Sequence, residues 1–98
     1  MSFAALDRML TRLVTHGRLT LVDTDGKAHK YGAAGAEPAA RVRIVDPAFP
    51  RKALLSANIA VGEAYMNGGI VLEEGSLRDL LDILLVSRDR VGGPGLLT

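Results

Sequence analysis

The chain has 98 residues, enough for one small domain burying roughly two-thirds of the surface that its unfolded form exposes. Twelve Lys and Arg nearly balance eleven Asp and Glu, so the net charge of +1 is too small to supply the phosphate attraction of a nucleic-acid binder. The absence of Cys excludes disulfides, thiolate nucleophiles and Cys-ligated metals, and agrees with a reducing cytoplasm.

Hydrophobic residues reach 48% but aromatics only 4%, which calls for a core of Leu, Val, Ile and Ala. The first eight residues lack a basic start followed by an apolar run, and no stretch approaches the ~18 apolar residues of a membrane span. The expected location is therefore cytoplasmic, extending to the periphery of the inner membrane surface if the chain touches lipid.

Phe3, Leu6, Met9, Leu10, Leu13 and Val14 recur at spacings of three and four, the period of an amphipathic helix from Ser2 to about Thr15. His16 and Gly17 end it, since Gly accepts the left-handed conformation after a helix and His suits the last carbonyls. Arg18 to Asp23 reads as a strand with Leu19 and Leu21 on one face, although Val22 breaks the alternation. Asp25 and Gly26 then supply the positive φ angles of a tight hairpin, with Ala28 to Gly32 as the returning strand.

After a small-residue loop, Arg41 to Val45 alternates, Val42 and Ile44 facing one way and Arg41, Arg43 and Val45 the other. Asp46 to Pro50 interrupts with two prolines, and two short helices follow, Arg51 to Ala57 and Ala60 to Asn67, with Asn58 between them. Ile70 to Glu73 is a fourth strand with Ile70 and Leu72 sharing a face. The last helix carries a capping box at Ser76 and Asp79, places Leu77, Leu80, Leu81, Leu84 and Leu85 on one side, and is expected to run to about Ser87. Arg88 to Thr98, with its Gly92-Gly93-Pro94-Gly95, has the composition of a linker. These elements predict an α+β domain over residues 1–87, a small, mainly antiparallel sheet covered on one face by helices.

Catalytic constellations are sparse. His16 and His29 lack metal-ligand spacing and read as solvated polar residues. Glu73 and Glu74 are adjacent in a strand, so they point to opposite faces and cannot serve one reaction centre. The loop from Gly32 to Glu37 lacks the glycine spacing and the following helix of a dinucleotide site. Arg8 and Arg12 lie one turn apart on the polar side of the first helix, with His16 and Arg18 close behind, and form either a candidate contact for anionic lipid headgroups or a solvated face. Tyr65 and Met66 sit in the most distinctive string of the chain and suit either a core or an acyl chain or partner domain. With Ile70, Leu81 and Leu85 they are the candidate lipid or partner contacts. No catalytic, cofactor-binding or metal-ligating residue is assigned.

Two stretches are more specific: His16-Gly17-Arg18-Leu19-Thr20-Leu21 through Asp25-Gly26, and Gly62-Glu63-Ala64-Tyr65-Met66-Asn67-Gly68 through Leu77-Arg78-Asp79-Leu80-Leu81-Asp82. In order and spacing they resemble the N-terminal region of cyclopropane-fatty-acyl-phospholipid synthases and related S-adenosylmethionine-dependent fatty-acid methyltransferases, over roughly Leu6 to Ser87. A weaker likeness, of fold more than residues, is to sterol carrier proteins. The resemblance implies a non-catalytic, lipid-side domain that assists phospholipid acyl-chain binding or docks a catalytic domain, in cis or in trans. Its parent enzyme would use S-adenosylmethionine as methyl donor. The Gly-rich motif that holds S-adenosylmethionine in that family is missing, as are the carboxylates, His, Cys and Tyr of its active site, so none of its catalytic residues maps onto this chain. On this reading Arg88 to Thr98 leads toward an absent catalytic domain. A freestanding sterol-carrier-like lipid binder, and a partner subunit or homodimer joined through the leucine face of the last helix, are the alternatives.

Overall fold

A computed structural model of the chain describes residues 2–92. The first helix, α1 (Ser2–Leu13), buries Leu6 and Leu10 one turn apart and packs Phe3, Met9 and Leu13 at their margins, as the apolar period requires. Gly17, at φ +76°, turns the chain into β1 (Arg18–Val22). His16 does not stay at the helix end: its Nε2 lies 3.0 Å from the Asp82 carboxylate on the last helix.

β1 pairs antiparallel with β2 (Ala28–Gly32), Leu19 opposite Tyr31 and Leu21 opposite His29. The turn between them is built differently from the sequence expectation. Only Gly26 has positive φ, and the Asp23 carboxylate does the rest by accepting hydrogen bonds from the amides of Asp25 and Lys27 at 2.9 and 3.1 Å. β3 (Ala39–Ile44) lies on the other side of β1 and runs parallel to it, and β4 (Ile70–Glu74) closes the sheet antiparallel to β3. The strand order is β2-β1-β3-β4. The fold is α+β, with antiparallel outer pairs around a parallel central pair, so the sheet is mixed.

The parallel pair arises because residues 33–38 carry the chain from the end of β2 past the start of β1. Close approach there demands glycine. A Cβ on Gly17 would lie 2.6 Å from the Pro38 carbonyl oxygen and 2.8 Å from the Ile83 side chain, and one on Gly32 would collide with the backbone of Gly17. The Arg18 amide donates to the Pro38 carbonyl at 2.9 Å and locks the crossing.

α2 (Phe49–Leu55) begins two residues before the expected Arg51, because Pro50 falls in the first turn, where a missing N–H costs nothing. The break before α3 (Ala57–Asn67) is at Ser56, in extended conformation, and not at Asn58. Gly68, left-handed at φ +83°, ends α3. The capping box forms as expected: the Asp79 amide donates to Ser76 Oγ at 3.1 Å and the Ser76 amide to Asp79 Oδ2 at 3.0 Å. The helix it opens, α4 (Leu77–Gly92), continues five residues past Ser87. The rest of the expected linker, residues 93–98, lies outside the described residues.

All four helices lie on one face of the sheet. Leu19, Leu21, Ala40, Val42, Ile44 and Ile70 point toward them and join Leu6, Leu10, Phe49, Val61, Leu80 and Ile83 in one aliphatic core. Thr20 and Val22, on the other face of central β1, are buried as well, with Lys30 and Arg41 beside Thr20 and Arg43 beside Val22 on the neighbouring strands. Long side chains on both flanks of a central strand account for burial there that does not alternate.

Candidate docking surfaces

Among the described residues no group of His, Cys, Asp or Glu is arranged to hold a metal ion, and no helix is long and apolar enough to cross a membrane. The interior offers little room either. A cavity of about 30 Å³ lies between the helices and the sheet, lined only by apolar side chains such as Leu10, Leu21, Phe49, Val61 and Leu84. This is the space of about one water molecule, far below the ~300 Å³ at which small-molecule pockets begin.

The candidate contact residues separate into distinct places. Ile70 is a correction: it is 2% exposed and packed in the core, since it faces the helices from β4 opposite Ile44. Leu81 is half-buried and Leu85 is exposed, and with Leu77 they form a strip at i, i+4 and i+8 along α4. Arg78 and Asp82 border this strip, and together they line a shallow, open groove of about 390 Å³. Tyr65 and Met66 are exposed on α3, at 46% and 80%. Arg8 and Arg12 are exposed on α1. The basic stripe does not continue beyond them, because His16 turns to Asp82 and Arg18 enters β1, where its Nε is buried without a hydrogen-bond partner.

The sequence reading missed the companions of Tyr65 and Met66. Leu55 at the end of α2 is 86% exposed and Ile59 on α3 is 63% exposed. α3 carries apolar side chains on two sides: Ala60, Val61 and Ala64 face the core, while Ile59, Tyr65 and Met66 are exposed. The signal was present in the sequence, since only Glu63 in the eleven residues of α3 carries a charge. Gly62 lies on the same outer face, in helical conformation, and a Cβ built there meets nothing within 4 Å. Glycine inside a helix costs about 1 kcal/mol relative to Ala, and packing among the described residues gives no reason for it.

His29 is also not the solvated residue that its isolation in sequence suggested. Its Nε2 lies 3.0 Å from Asp23, its Nδ1 3.9 Å from Asp7, and its ring 4.5 Å from that of Phe3. The Tyr31 hydroxyl donates to Asp7 at 2.6 Å. The hydrogen bond from His29 holds the Asp23 carboxyl below its usual range, while burial and then the Asp7 bond raise the Tyr31 phenol well above its own. The cluster ties α1 to the hairpin. Across the open sheet face, Glu73 bridges Arg41 and Arg43 at 3.1 and 3.2 Å, a structural role consistent with its place in an edge strand. Just before α2, Asp46 accepts the Ala48 amide at 2.9 Å, and that bond, with Lys52 at 3.4 Å, lowers its carboxyl.

The molecule is thus a small α+β domain that exposes large apolar side chains on α2, α3 and α4. Residues 6–91 match the family described as "Domain of unknown function (DUF7884)", and the chain belongs to that family. No curated protein matches it.

Proposed function

We propose that this chain is a non-catalytic accessory domain of a cyclopropane-fatty-acyl-phospholipid-synthase-like methyltransferase, and that it docks the catalytic domain, in cis or in trans, through the Leu77–Leu81–Leu85 strip of α4. The resemblance of His16 to Leu21 and Gly62 to Asp82 supplies the parent class, in which S-adenosylmethionine and the reacting groups belong to the catalytic domain. The observation that carries docking over lipid carriage is where the apolar surface lies. The internal cavity of about 30 Å³ has no room for an acyl chain, and the α4 groove is too open to bury most of a small ligand, as such sites do. An open apolar strip bordered by Arg78 and Asp82 instead has the apolar centre and polar rim of a protein interface. In this reading the domain works in the cytoplasm or at the inner membrane surface, where the parent meets unsaturated phospholipid chains, and Arg8 and Arg12 supply the headgroup contact.

The test adds the chain to a separately produced S-adenosylmethionine-dependent catalytic domain of this class, with unsaturated phospholipid vesicles, and follows methyl transfer and binding. The wild-type chain is expected to bind and to raise turnover, and Leu85→Asp is expected to weaken binding by about tenfold or more. Wild-type binding that Leu85→Asp and Arg78→Glu leave unchanged would place docking elsewhere, and no binding at all would end the reading.

A further inference from the structure

We draw no further inference here: the strongest candidate, the open face of the sheet where Arg18, Lys30, Arg41 and Arg43 stand on neighbouring strands, carries none, because Glu73 bridges two of those cations and nothing in the structure shows what covers it.

Discussion

Where α1 meets the β1–β2 hairpin, the polar side chains find their partners inside the chain: Tyr31 with Asp7, His29 between Asp7 and Asp23, and Asp23 with the turn amides as well. On the outer face of α3, Ile59, Tyr65 and Met66 are exposed, and Gly62 lowers helix stability with no packing return among the described residues. The first region contributes to the stability of this chain alone. The second buries less and contributes less to it. Substitutions in the two regions should therefore differ in their effect on folding.

The largest effect is expected beneath both regions. Ile83 is fully buried and sits against the Gly17 crossing, so Ile83→Ala should cost about 2–5 kcal/mol in urea unfolding. A loss below about 1 kcal/mol would mean that the packing of α4 at the Gly17 crossing contributes little to stability. Next comes Tyr31→Phe, which removes the donor to Asp7 and should cost about 1 kcal/mol near neutral pH. Because the folded state raises the Tyr31 phenol above its ordinary value of 10, the stability it supplies is complete below that pH. It is lost as pH rises beyond 10, where the unfolded chain ionises first. The alkaline decline of the wild type should accordingly flatten in Tyr31→Phe.

At the acid end the sign reverses. Asp23 is held below 3.8 chiefly by His29, so its contribution is present above about pH 4 and disappears as pH falls through its folded value. Asp23→Asn should be less stable at neutral pH and show a shallower acid limb. The smallest effect is opposite in direction. Gly62→Ala should raise monomer stability by up to about 1 kcal/mol, since the added methyl group is unopposed and the helix gains propensity. A destabilisation there would show that the space beside Gly62 is occupied within the single chain, and would erase the contrast between the two regions.

The elements most legible in the sequence were those governed by local rules. The Ser76 and Asp79 capping box, the Val42 and Ile44 alternation and the α1 stripe depend on residues only a few positions apart, and each forms as read. What was not legible depends on position in the sheet. Val22 and Thr20 are buried because β1 is central, and no periodicity in a single strand announces that its neighbours will be Lys30, Arg41 and Arg43. Ile70 was assigned to a contact surface because of its place beside Tyr65 and Met66, but it is opposite Ile44 in the core. The same proximity argument passed over Ile59, whose place on one side of α3 with Met66 is set by the helical repeat and not by adjacency in the chain.

The placement of β1 between a hairpin partner and a parallel partner also determines how slowly its backbone gives up deuterium. Its amides face β2 on one side and β3 on the other, and its first is held by the Pro38 carbonyl beneath the glycine crossing. No fraying of an outer strand frees all of them, so the slowest should exchange only when the whole molecule opens. The exchange rate of these few protons then serves as an internal gauge of global stability, readable under native conditions without denaturant.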